Sequence, residues 1–179
     1  TSADLQVNGI TIGKGAGTGI HNTVMGNSAF ISITSGMGNT AVGSYALRFN
    51  KIGGYNTVLG YMAAGTSTDD TSLASVVSIG SYSRAYGQWA VAIGSGANAG
   101  KYSMAIGYNA SAPTQGGVAI GNTTSVSGGT LAVGSNNSSS NIGGIVLGGG
   151  LSTTNSYQLL IGNAAPGYST REVYIGGGV

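Results

Sequence analysis

Ala90-Val91-Ala92-Ile93-Gly94 and, one interval later, Ser103-Met104-Ala105-Ile106-Gly107 decide how this chain is read. Each is a short apolar run closed by glycine. The pattern recurs with its glycine at Gly13, Gly26, Gly43, Gly60, Gly80, Gly94, Gly107, Gly121, Gly134, Gly148, Gly162 and Gly176. Successive spacings are 13, 17, 17, 20, 14, 13, 14, 13, 14, 14 and 14 residues. A near-fixed period through a whole chain marks a repeat architecture, in which each unit is stabilised by its neighbours and not by one globular core.

With the repeat glycine as position 0, position −1 is always Ile, Met, Val or Leu. Position −3 is aliphatic in most units (Val77, Val91, Met104, Val118, Leu131, Ile145, Leu159, Val173) and Thr at Thr23, Thr40 and Thr57. Alternate residues of a strand share a face, so −1 and −3 are expected to point into the coil. Position −2 faces the other way, yet it too is small and apolar: Val24, Ala41, Val58, Ala92, Ala105, Ala119, Ala132 and Val146. A strand apolar on both faces is covered on both, so these eight residues are expected to form a seam against other copies of the chain. Beyond the glycine, positions +3 and +5 (Ser83 and Ala85, Ala97 and Ala99, Ala110 and Ala112, Thr124 and Val126) predict a second short strand with small inward side chains. Tight turns rich in Gly, Asn and Ser would join the two strands. The expected fold is therefore all-β, a parallel β-solenoid of about twelve coils of 13–20 residues. At ~4.8 Å per coil it would form a rod of about 55–60 Å.

The whole chain, 1–179, reads as one such solenoid. Residues 1–62 hold the opening coils and the Asn-Thr-x-h-Gly units at Asn22, Asn39 and Asn56, where h is an apolar residue. Residues 63–75 are an insertion with a polar tip at 66–72, 76–148 the regular array of 13–14-residue units, and 149–179 the terminal coils. Gly176 lies three residues from the last residue with no polar cap after it. Solenoid ends need covering, so further chain or other subunits are expected there.

Composition narrows the function. Charged residues are 6 % of the chain, 41 % is hydrophobic and the formal net charge is +2. That balance favours folding over disorder. Lys14, Arg48, Lys51, Arg84, Lys101 and Arg171 are scattered and form no phosphate-tracking run, which argues against nucleic acid. No apolar run approaches the ~18 residues of a membrane span, so direct membrane insertion is not expected. With no cysteine, disulfides and thiolate metal sites are excluded.

Catalytic groups are sparse. His21 is the single histidine and has no carboxylate near it in sequence. Glycoside cleavage needs two carboxylates about 5–10 Å apart. The only adjacent pair, Asp69 and Asp70, sits at the insertion tip. Those two residues are weak candidates for calcium, which takes six to eight oxygens; a solvated loop tip is the simpler reading. Gly94-Ser95-Gly96 nominally resembles a dinucleotide loop but is followed by another strand unit instead of a helix. No enzyme activity, cofactor or resident metal is expected.

The aromatic residues are more informative. Position −5 carries Tyr55, Trp89, Tyr102 and Tyr157, with Arg171 in the same column, and the turn after the glycine carries Tyr45, Tyr61, Tyr82 and Tyr108. Equivalent positions stack into stripes in a solenoid, and Tyr and Trp combine apolar area with a polar tip. Tyr82, Arg84, Tyr86, Trp89 and Tyr102 form the densest group and are the candidate binding patch. The same rings would equally serve to seal the edge of a subunit interface.

Asn39-Thr40-Ala41-Val42-Gly43-Ser44-Tyr45-Ala46-Leu47 and Asn56-Thr57-Val58-Leu59-Gly60-Tyr61 resemble repeats common in bacteriophage tail fibres. The opening Leu5 to Gly15 resembles the segment that introduces such repeats. Ala90 to Gly107 is similar to the YadA-like head repeats of trimeric autotransporter adhesins. These resemblances imply a homotrimer of left-handed parallel β-rolls on a virion tail fibre or a bacterial cell surface. They imply a bacterial surface glycan or protein receptor, or a host matrix protein, as partner. The 17- and 20-residue spacings favour the phage reading. A purely structural shaft or self-assembling filament is a further alternative.

Overall fold

The computed structural model describes residues 4–64 and 72–163, and every described element is a strand or a turn. Ten parallel strands build the main sheet. In order they are β3 (Thr23–Gly26), β4 (Thr40–Val42), β5 (Thr57–Leu59), β6 (Val77–Ile79), β8 (Val91–Ile93), β10 (Met104–Ile106), β12 (Val118–Ile120), β14 (Leu131–Val133), β16 (Ile145–Gly149) and β17 (Leu159–Asn163). A second parallel sheet of five short strands lies between them in sequence: β7 (Arg84–Ala85), β9 (Asn98–Ala99), β11 (Ser111–Ala112), β13 (Ser125–Val126) and β15 (Ser138–Ser139). From β6 to β16 the chain alternates between the sheets once per coil, and the stacked parallel strands make the whole a parallel β-solenoid. At ~4.8 Å per strand, β3 to β17 spans about 43 Å.

Repeat glycines define the coil. From Gly26 to Gly162 all ten have φ between 123° and 151°, which L side chains rarely adopt. From Gly26 to Gly148 each sits directly over the glycine of the next coil. A Cβ at Gly60 or Gly80 would lie 2.7 Å from the next repeat glycine's carbonyl oxygen. The period in the sequence is thus a column of backbones packed too closely for any side chain.

Ten parallel coils stand where about twelve were expected. Gly176 lies outside the described residues. Ile12-Gly13 belongs to a different element, a hairpin of β1 (Leu5–Val7) and β2 (Ile10–Gly13). Its turn is Asn8-Gly9, with φ of 48° and 79°. An Asn-Gly pair with both residues at positive φ is the strongest short hairpin signal. β2 then pairs antiparallel with β3, so the hairpin extends the main sheet at its first edge.

The orientation of the strands is the reverse of the expected one. Val24, Ala41, Val58, Ala92, Ala105, Ala119, Ala132 and Val146 are at most 1 % exposed and fill the chain's own interior, so they are not a seam against other copies. The reason is volume. Around β10 the interior holds only Ser103, Ala105, Ala110 and Ala112, all buried. Two strands this close leave no room for Ile or Leu, and interiors pack without voids or overlap. The expected inward positions +3 and +5 are found buried as predicted, among them Ser83, Ala85, Ala97 and Ala99. At β6 position −2 is Ser78, whose hydroxyl pairs inside the coil with Ser83 at 2.8 Å.

Wider coils use asparagine. Asn22, Asn39 and Asn56 are buried at position −4 and form a ladder. Asn39 Nδ2 donates to Asn22 Oδ1 at 3.1 Å, and Asn56 Nδ2 donates to Asn39 Oδ1 at 2.8 Å. The same amides hold the longer turns through the carbonyls of Gly36, Gly53 and Leu73. This satisfies buried backbone groups that a 17- or 20-residue coil cannot pair by strand hydrogen bonds alone.

Candidate functional site

Turning position −2 inward puts positions −1 and −3 on the outer face of the main sheet. Strand register makes −1 one unbroken apolar row across twelve strands: Leu5, Ile12, Met25, Val42, Leu59, Ile79, Ile93, Ile106, Ile120, Val133, Leu147 and Ile161. The hairpin, although antiparallel, is in register with it. Beside this row, −3 runs from Thr23, Thr40 and Thr57 through Val77, Val91, Met104, Val118, Leu131 and Ile145 to Leu159. Met25 is 45 % exposed, Ile145 43 % and Leu159 46 %. The second sheet is the opposite: its outward residues are Arg84, Asn98, Ser111, Ser125 and Ser138. One face is therefore built for water and the other is a continuous apolar strip.

Aromatic columns border the strip on both long sides. On the turn after the repeat glycine, Tyr45 and Tyr61 meet edge to face at 6.1 Å, and Tyr61 and Tyr82 at 5.3 Å. A hydrogen bond and charge coupling to Tyr82 raise the Tyr61 pKa. Arg48 lies 5.0 Å from the Tyr45 ring and 5.1 Å from that of Phe49. On the opposite turn, Trp89 and Tyr102 stack with centroids 5.0 Å apart and planes 4° from parallel. The Lys101 ammonium stands 5.1 Å from the Tyr102 ring. Arg84 lies 4.9 Å from the ring of Tyr86, whose hydroxyl donates to the Pro113 carbonyl. Burial raises the Tyr86 pKa, and Arg84 partly offsets this.

The sequence-derived patch is thus divided. Trp89 stacks on Tyr102 and Arg84 on Tyr86, on the second sheet and the turn that leaves it. Tyr82 sits across the coil with Tyr61. Asp69, Asp70 and Arg171 lie outside the described residues. Two features were missed. His21 belongs to the −5 column, and its register against Gly26 was the available signal. Gln88, Lys101 and Gln115 share position −6 on three successive coils, all exposed.

Like column +2, where Ser28, Tyr45, Met62, Tyr82, Asn109, Thr123 and Asn136 have φ of 50–60°, column −5 has a left-handed backbone. His21, Tyr55, Ser75, Trp89, Tyr102 and Tyr157 have φ of 57–61°, and the remaining members are Gly38, Gly116, Gly129 and Gly143. A bulky side chain in this left-handed region costs about 1–2 kcal/mol. The ten described members of the column are thus four glycines, five rings and Ser75.

Asp4 is the one carboxylate among the described residues. It accepts from the backbone N–H of Lys14 at 3.0 Å and of Gly15 at 2.8 Å, fixing the glycine-rich loop. A cleft of about 680 Å³ lies there, lined by Asp4, Gln6, Thr11, Thr18 and Phe30 among others. Among the described residues no three His, Asp or Glu side chains cluster as metal ligands would. No protein-family model, curated protein or solved structure matches this chain.

Proposed function

We propose that this chain is a non-catalytic attachment segment of a fibre, with three copies packed through the outer faces of their main sheets, as a bacteriophage tail fibre adsorbing to a bacterial surface. The observation that carries the reading is the apolar strip. Rows −1 and −3 together contribute nineteen aliphatic side chains, each partly exposed. Seven of them are 36–59 % exposed and the others less; with full burial of an aliphatic side chain worth ~1.5–3 kcal/mol, covering each recovers on average about 0.5–1 kcal/mol. The strip would supply about 10–19 kcal/mol per chain against an association cost of about 4–15 kcal/mol. The number three and the bacterial surface come from the resemblance to tail-fibre repeats.

The head of a trimeric autotransporter adhesin on a bacterial cell surface is the second reading. It is favoured by the 13–14-residue spacing from Gly80 to Gly162, which is that of the adhesin-like units. Binding assays separate the two. A purified trimer that decorates bacterial cells supports the phage reading, and one that ignores them but binds immobilised collagen or fibronectin supports the adhesin. A trimer that binds neither would leave only a structural shaft and overturn the attachment role.

A further inference from the structure

Resting on that attachment reading, we propose that the turn carrying Trp89 and Tyr102 binds an acidic polysaccharide, with sugar rings against the aromatic pair and an acidic substituent on Lys101. Trp89 and Tyr102 are 52 % and 48 % exposed, and both are held at φ 57° where Gly116 and Gly129 occupy the same position without strain. Every coil turns through this conformation, so the backbone alone marks no site, and what sets these two positions apart is the exposed stacked pair they carry. Here the strained positions hold two parallel rings. In the next coil the equivalent residue is Gly116, so no side chain from that position covers the outer face of Tyr102.

Polar groups at the pair suit a sugar. Gln88, Lys101 and Gln115 place an amide, an ammonium and an amide on three successive coils, directly beside Trp89, Tyr102 and Gly116 in sequence. Amides can donate and accept at once, as hydroxyl groups require. Corner backbones follow the coil period: Tyr102 N–H donates to the Gln88 carbonyl at 3.1 Å and Gly116 N–H to that of Lys101 at 3.3 Å. The groups therefore repeat along the fibre axis, matched to a chain of repeating units and not to one compact ligand.

Charge selects the acidic class. Among the described residues the only carboxylate is Asp4, whose carboxylate holds the loop before β3. Lys101 rests on the Tyr102 ring, which positions the ammonium without neutralising it. An ammonium beside stacked rings favours a uronate, phosphate or sulfate ester on the bound sugar.

Trp89 is the only tryptophan of the chain, so its emission reports the site directly. The probes are polygalacturonate and dextran sulfate as acidic chains and dextran as the neutral one. Expected are a saturable change in Trp89 emission with both acidic chains and at least tenfold weaker dextran binding. Lys101→Gln should reduce that preference to about twofold. Trp89→Gly and Tyr102→Gly place at φ 57° the residue that neighbouring coils already use, so the solenoid is retained. Measured by calorimetry, each should weaken acidic-chain binding about tenfold with the oligomeric mass unchanged. Equal affinity for dextran, or a Lys101→Gln protein with unaltered preference, would overturn the assignment. So would dextran sulfate binding that ignores both glycine variants, which is ion exchange, or loss of the oligomer in those variants, which makes the rings an interface seal. Cells still bound by a chain that takes none of these polymers would leave the attachment reading standing and end the acidic-glycan one.

Discussion

Ala105 and Ile106 are adjacent in β10 and face opposite ways, which makes them the sharpest test of strand orientation. Ala105 is fully buried, and the interior beside it is filled by Ser103, Ala110 and Ala112. Ala105→Leu adds three carbon atoms where there is no void, between strands clamped on both sides by β8 and β12. Overpacking usually costs about 1–3 kcal/mol; a backbone held by two ladders puts this case at the upper end, about 3 kcal/mol. Ile106 faces outward and is only half-buried in the single chain. Ile106→Asp should cost the isolated chain about 1–2 kcal/mol, the apolar burial Ile106 already has between Ile93 and Ile120. In the assembly it would bury like charges among the copies and block association. Urea unfolding followed by Trp89 emission at several protein concentrations separates the effects, because self-association makes stability concentration-dependent. Ala105→Leu should lower the midpoint at every concentration. Ile106→Asp should remove the concentration dependence and spare the fold. A neutral Ala105→Leu together with an unfolded Ile106→Asp would refute the orientation.

Other substitutions test the parts separately. Asn39→Ala removes the middle of the buried ladder and leaves the Gly53 carbonyl and the Asn56 N–H without that partner, while Asn22 Oδ1 keeps the backbone N–H of residue 39; at about 1–3 kcal/mol per unsatisfied group, a loss of about 2–6 kcal/mol is expected in denaturant titration. Gly107→Ala forces a Cβ into the backbone of Gly121 at φ 132° and should cost about 3 kcal/mol or more, lowering the thermal midpoint, whereas Gly128→Ala, whose Cβ would meet nothing closer than 3.4 Å, should cost under about 1 kcal/mol. Tyr86 has a raised pKa in the folded chain, so its neutral form stabilises the fold below the ordinary tyrosine pKa and that contribution is lost as pH rises through the folded value. Tyr86→Phe should flatten the alkaline fall in stability measured by pH-dependent denaturation.

The glycine period, the two strands per coil and the inward residues +3 and +5 were all legible in the sequence, because each follows from spacing alone. Orientation was not. Positions −1 and −2 are both apolar, and alternation alone does not say which of them faces inward. In a coil two strands thick, available volume decides instead, and the run of alanine at −2 was the signal for it. The hairpin was also readable, from Asn8-Gly9 between Leu5-Gln6-Val7 and Ile10-Thr11-Ile12, but the period drew Ile12-Gly13 into the coil series. Of the binding patch, the two aromatic columns followed from register. That Tyr82 and Trp89 lie on opposite turns followed only from where each coil changes sheets.

The most direct test is the mass of the chain in solution by light scattering during size exclusion. One copy is 17.5 kDa, and three times 17.5 is 52.5 kDa. A mass near 52.5 kDa, falling to 17.5 kDa for Ile106→Asp, is the predicted result. A stable 17.5 kDa monomer for the unmodified chain would mean that the apolar strip is not covered by further copies, and the trimeric fibre reading would fall.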